Sequence, residues 1–152
     1  MDIIHKPILA EEIEWKVQSY TKDKSKTIIV PYVTARCVMD RFDAQFGSMG
    51  WQTAFREINE GFICNLSVAT DVGWISKEDG ANKTKIEPVK GGISDALKRA
   101  AHQFGLGRSL YSYPKVMLKG EHKYISDETM ERLNKMVALI NNGEFKQKVV
   151  VI

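Results

Sequence analysis

Apolar and polar positions along this chain fall into blocks, and each block predicts an element. The clearest block runs from Lys90 to Pro114. Ile93, Ala96, Leu97, Ala100, Ala101 and Phe104 recur at i, i+3, i+4 and i+7, the rhythm of a helix with one face in the core. Asp95, Lys98, Arg99 and His102 fall on the opposite side. Ala96, Ala100 and Ala101 are small enough to let the helix lie close against a sheet, which gives its basic side a fixed platform. The helix starts between Pro88 and Ser94 and stops at Gly105.

Weaker patterns organise the rest. Pro7 suits the first turn of a helix, and Leu9, Ile13, Val17 and Tyr20 repeat about every four residues, predicting a first helix to about Tyr20. A lysine-rich turn leads into a β-branched strand, Lys26 to Val33, in which Pro31 marks an edge or an end. Thr34 caps a second helix with Ala35, Val38, Met39, Phe42 and Phe46 on its apolar face and Gly47 as its stop. Trp51 to Ile58 and Phe62 to Ala69 read as strands joined by a hairpin at Asn59-Glu60-Gly61, with Val72 to Ser76 continuing or pairing with that sheet. Ser76 to Lys85 is polar and reads as an exposed, mobile loop. Val116–Leu118 and Lys123–Ile125 flank Lys119-Gly120-Glu121-His122 as a small hairpin. Ser126 caps a last helix whose buried stripe is Met130, Leu133, Met136, Val137 and Ile140. The apolar tail, Lys148 to Ile152, needs a partner strand or a neighbouring subunit. Trp51, Trp74, Phe46 and Phe55 read first as core residues. Mixed helices and strands without βαβ alternation give an α+β class.

The 152 residues suit one domain spanning the whole chain. With 43% hydrophobic and 27% charged residues the composition is that of a globular protein. A net charge of +3 does not by itself imply nucleic acid, so distribution matters more. Acidic residues crowd Glu11–Glu14 and Asp127–Glu131, while the stretch from Lys83 to Lys123 tips basic. Cys37 and Cys64 form no metal or redox spacing and read as buried thiols, at home in a reducing cytoplasm. There is no signal-peptide pattern, and no apolar run approaches the ~20 residues of a membrane span.

The chemistry concentrates on the basic helix. Cations on one helical face can track phosphates, and Lys98, Arg99 and His102 have Lys90 just upstream and Arg108 just downstream. A lone Lys-Arg pair is more often a solvated face. Here Tyr111 and Tyr113 lie close in sequence, and cations interleaved with aromatics suit single-stranded nucleic acid. Arg36 and Arg56 are candidate secondary contacts, for which a surface salt bridge is an equally good reading. No phosphate-binding P-loop and no dinucleotide fingerprint is present, so neither ATP nor another cofactor is expected. His5, His102 and His122 show no metal-ligand spacing. Glu14-Trp15-Lys16 has the Glu-x-Lys form of some metal-dependent nucleases, but it falls in a helical pattern without an upstream acidic partner. No catalytic residue, and no enzyme, is expected.

The run Lys90-Gly-Gly-Ile-Ser-Asp-Ala-Leu-Lys-Arg-Ala-Ala-His-Gln-Phe-Gly-Leu-Gly-Arg-Ser-Leu-Tyr111 closely resembles the signature of the Rad52/Rad22 family of single-strand annealing proteins, most nearly its short bacterial and phage branch. Phe46-Gly47, Gly50-Trp51 and Ser76-Lys-Glu-Asp-Gly80 extend the similarity over roughly Val33 to Pro114. The resemblance implies a β-β-β-α core, its antiparallel sheet packed on the long amphipathic helix, with flanking helices. It also implies oligomeric rings or arcs, a positively charged groove for single-stranded DNA, and ATP-independent annealing in recombination and repair. In the family the Lys-Arg pair of this helix faces DNA, which carries over to Lys98 and Arg99. Where the family has a further basic position one turn later, this chain has His102, a histidine in place of a permanent cation, and Arg108 is the residue to compensate. The longer eukaryotic members carry a C-terminal partner-binding region with no counterpart here. A single-stranded DNA-binding protein therefore stands only as a candidate partner beside DNA and further copies of the chain. Protective coating of strands or ends without annealing is the alternative.

Overall fold

The computed structural model describes residues 2–152. After a single 3-10 turn at Ala10–Glu12 come strands β1 (Ile13–Tyr20) and β2 (Lys26–Val33), helix α1 (Ala35–Phe46), and strands β3 (Trp51–Ile58), β4 (Gly61–Thr70) and β5 (Gly73–Asn82). Helix α2 (Pro88–Gln103) and a 3-10 turn at Arg108–Ser112 follow. Strand β6 (Lys115–Lys119), helix α3 (Asp127–Asn141) and strand β7 (Val149–Val151) complete the chain. The class is α+β. The elements divide into two compact units, one holding Thr34–Arg108 with the N-terminal segment to Lys6, the other Pro7–Val33 with Ser109–Ile152.

The first unit contains the β-β-β-α arrangement. Strands β3, β4 and β5 form an antiparallel meander in that order, and α2 packs on β4 and β5. Phe62, Cys64, Leu66 and Val68 alternate along β4 and point at the helix, all buried. Small residues on α2 permit the close approach: Ala96, Ala100 and Ala101 have no exposed surface. At Gly92 a Cβ would lie 2.7 Å from the Phe62 ring, so only glycine fits. Beside them Phe42 of α1, fully buried, gathers Phe46, Trp51 and Phe104 at ring-centroid distances of 5.6, 5.7 and 5.9 Å. Thr34 caps α1 as expected, its Oγ1 accepting from Cys37 N at 3.0 Å.

In this unit Ser76 to Asn82 is strand rather than loop. It pairs with β4 residue for residue, from Thr70 opposite Gly73 to Gly61 opposite Asn82. An edge strand with one face in water needs few apolar residues, so its sequence reads as a loop. Trp74 and Phe55 are not core residues either. Trp74 is 51% exposed on the sheet face away from α2, and Phe55 is exposed on the edge strand β3.

The second unit is a four-stranded sheet in the order β1-β2-β6-β7. The helix expected over Leu9 to Tyr20 is the strand β1, antiparallel to β2 with Ile13 opposite Val33 and Val17 opposite Ile29. Ile13 and Trp15 are buried while Glu14 and Lys16 are exposed, which is period two. Positions 13 and 17 satisfy a four-residue spacing and a two-residue one alike, and the β2 partner decides between them. Lys123–Ile125 forms no strand; β6 instead takes β2 on one side and β7 on the other. The tail thus finds its partner within the chain, as β7 parallel to β6. Helix α3 starts at Ser126, whose Oγ accepts from Thr129 N at 3.2 Å, and buries Leu133, Met136 and Val137. Among the described residues no helix is long and apolar enough to cross a membrane.

Candidate nucleic-acid interface

The candidate chemistry lies on the exposed flank of α2 that borders the edge strand β5. Arg99 is the most clearly presented residue. Its side chain is 55% exposed, and its Nε donates to Asp79 Oδ1 of β5 at 3.2 Å. None of the hydrogen bonds among the described residues engages its two Nη groups, so the outer end of the guanidinium is open to a phosphate. One turn on, Gln103 Nε2 donates to Asp79 Oδ2 at 3.0 Å, and Gly80 N donates to Asp79 Oδ1 at 2.7 Å. Burial pushes the Asp79 carboxyl up, but the Gln103 amide, the Gly80 N–H and Arg99 outweigh it and hold it below the usual carboxylate range.

Lys98 is placed differently. Only 9% of it is exposed, and its Nζ lies 3.5 Å from Asp95 Oδ1. It therefore sits where the packed and open sides of α2 meet, its stem covered and its charge paired. Lys90, with an 81% exposed side chain, lies in the first turn of the helix, its Nζ 3.8 Å from Glu87 Oε2. His102 Nδ1 donates to Leu106 O at 2.6 Å, so that imidazole supports the turn after the helix.

Arg108 closes the helix. Its Nε donates to His102 O at 2.6 Å and its Nη2 to Gln103 O at 2.8 Å. Lys77 of β5 adds a third donor, Nζ to Gln103 O at 2.9 Å. Two cations at the carbonyl end of α2 complement its dipole. Gly105 and Gly107 make the turn that brings Arg108 back, both at positive φ, +105° and +81°.

The remaining candidates lie elsewhere. Asp79 reaches α2 and pairs with Cys64, so the neighbouring positions Arg56 and Glu78 point to the opposite face of the sheet. There Arg56 Nη1 and Nη2 donate to the two Glu78 oxygens at 2.9 and 3.2 Å, joined by Asn65 Nδ2 at 3.0 Å. The structure thus separates Arg56 from the Lys98–Arg99 surface. Arg36 is exposed in the first turn of α1. Tyr111 belongs to the second unit and is exposed in the 3-10 turn Arg108–Ser112. In that unit burial raises the Tyr113 hydroxyl pKa, which is unlike an open stacking platform.

Lys77, Asp79, Lys83 and Gln103 do not stand out in the sequence, three of them because their segment reads as a loop. Lys83 Nζ stands 5.8 Å over the Phe62 ring and pairs with Glu57 Oε1 at 2.6 Å. Lys16 and Tyr32 of the second unit also escape a reading of the sequence. Lys16 Nζ lies 5.4 Å from the Tyr32 ring centroid, on exposed strand positions of one face. A period-two reading of Ile13 to Val17 would have brought Lys16 to that face. Glu14 shares that face, yet no group of three or more His, Cys, Asp or Glu among the described residues is disposed to hold a metal ion.

The family described as Rad52/22 family double-strand break repair protein matches residues 1–68 and 63–129 of the chain. The single-stranded DNA-binding protein DdrA of Deinococcus deserti is 34% identical over 111 residues, 72% of this chain and 55% of that protein. The protein of the same name from Deinococcus radiodurans is 30% identical over 111 residues, 72% of this chain and 53% of its own length. The chain spans about half the length of these relatives. With matches that take in both sheets, the β-β-β-α arrangement and the signature helix, the chain belongs to the Rad52/22 family of double-strand break repair proteins.

Proposed function

We propose that this chain binds single-stranded DNA through its phosphates along the open side of α2 and anneals complementary strands without ATP, as a non-enzymatic repair and recombination protein. Arg99 carries this reading: half-exposed, held through Nε, its Nη donors turned outward. Lys98 and Lys90 add charge on the same helix, and Lys77 beside its end. Arg108 acts chiefly by fixing the end of α2, and Arg56 and Arg36 are secondary contacts. The exposed Lys16–Tyr32 pair of the second unit offers a ring for a base and a cation for a phosphate.

Holding a strand by its phosphates leaves base edges free to test a complement, so sequence-independent contact is what annealing requires. A small protein covers few nucleotides, and repeated copies along one strand multiply weak contacts. Strands β3 and β5 each leave an unpaired edge in the three-stranded sheet, a surface through which copies would join into a ring or arc. The tail pairs with β6 on one side and, as the last strand of the four-stranded sheet, offers a further open edge.

A second reading, a coat that protects strands without pairing them, is favoured by the name of the Deinococcus relatives, which speaks of binding and not of annealing. Annealing of two complementary fluorescent oligonucleotides, without ATP or divalent metal, separates the two. Acceleration by the wild type, lost in the Lys98→Ala/Arg99→Ala variant, is the expected result. Tight binding without acceleration would select the protective coat.

A further inference from the structure

We infer that Asp79 sets the strength of the DNA site by holding a carboxylate against the arginine that a phosphate would otherwise have to itself. The inference rests on the reading that Arg99 contacts DNA.

Each of the cations Lys90, Lys98 and Arg99 on α2 has a carboxylate beside it, but Asp79 is unlike the other two. Glu87, the residue just before α2, and Asp95 on it lie three residues from Lys90 and Lys98 and meet them at 3.8 and 3.5 Å. Such pairs on a helix surface are weak and yield readily to an incoming phosphate. Asp79 comes from a different element, its side chain is only 21% exposed, and it accepts from Gly80 N, Gln103 Nε2 and Arg99 Nε together. Three donors on two elements fix it in place.

The consequence is geometric. A guanidinium offers two forks, one through Nε and one Nη, the other through both Nη groups. Asp79 takes the Nε position, leaving the outer fork for a phosphate. That phosphate then binds within a few ångström of a fixed negative charge. Arg99 is aimed correctly, but its attraction is discounted. A strand held this way is released more easily, as a protein that must let go of a newly paired duplex requires.

D79N tests this, because an asparagine retains an acceptor for Arg99 Nε, and its Nδ2 can donate to Gln103 Oε1 once that amide turns over, while the charge is lost. Binding of the full chain to a labelled oligo-dT is followed by fluorescence anisotropy over a KCl series. We expect D79N to bind about five-fold tighter, the scale of one unit charge removed from about 4 Å in a watery medium. Its log–log salt dependence should steepen by up to about 0.7. In an R99A background the same substitution should change affinity much less. Unchanged or weaker binding by D79N overturns the inference, as does equal tightening with and without Arg99. If instead R99A alone leaves wild-type binding unchanged, the DNA site itself is wrong. D79S serves in place of D79N should the latter lower the melting temperature.

Discussion

The two sides of α2 are built on opposite principles. Toward β4 and β5 it presents Gly92, Ala96, Ala100 and Ala101, where the helix rests so close to the sheet that volume is the limiting quantity. Along its exposed flank, in its first turn and beside the edge strand β5, it presents Lys90, Arg99 and Gln103, where volume is free and charge is the limiting quantity. The packed side holds the helix still, so the open side can aim a guanidinium without spending side-chain order on the backbone beneath it. Lys98 stands at the seam and belongs to both, its stem buried and its ammonium beside Asp95.

Substitutions at each side should therefore report different things. The largest effect on stability falls on the packed side: Ala100→Leu has no room to enlarge, and overpacking should cost about 1–3 kcal/mol, read by urea unfolding. Loss of less than about 0.5 kcal/mol would mean the helix can lift from the sheet, and the contrast would collapse. Chemical access gives a second measure. Cys64 lies beneath α2 with no exposed surface, and burial pushes its thiol from 9.0 up to about 11. A pKa raised by folding favours the native state below the unfolded value, an advantage lost as pH rises through about 11. A thiol reagent should label Cys64 slowly at pH 8 in the native protein and rapidly in urea; fast native labelling would show that α2 opens. The smallest stability effect belongs to the open side. Arg99→Ala should shift unfolding by no more than about 0.5 kcal/mol. The same variant should flatten the salt dependence of DNA binding by about 0.7, measured by anisotropy.

Much of the first unit is legible in its amino-acid sequence. Thr34, Gly47, the Asn59-Glu60 turn and the apolar rhythm of α2 are local signals, and each leads to the element it predicts. So is the Lys98–Arg99 charge, which a helical wheel finds directly. The rest is decided by distant partners. Leu9, Ile13 and Val17 are compatible with helix until β2 pairs with that stretch. Ser76 to Asn82 has too few apolar residues to read as a strand until β4 supplies the ladder. The same holds within the site. Arg108 reads as a DNA contact, but it returns through two glycines to bond the last carbonyls of α2. Asp79 reads as a loop acid, yet it meets Arg99 twenty residues away.

By itself the sequence determined the helices, the β3–β4 hairpin and the signature that marks the family. Helical hydrogen bonds close within four residues and a tight hairpin within two, so local composition suffices. Tertiary structure alone decided that β1 is a strand, that the tail completes a sheet, which cations close a helix and which carboxylate stands beside Arg99. Strand pairing and charge pairing join residues far apart in the chain, and their free energy depends on the partner that folding brings up.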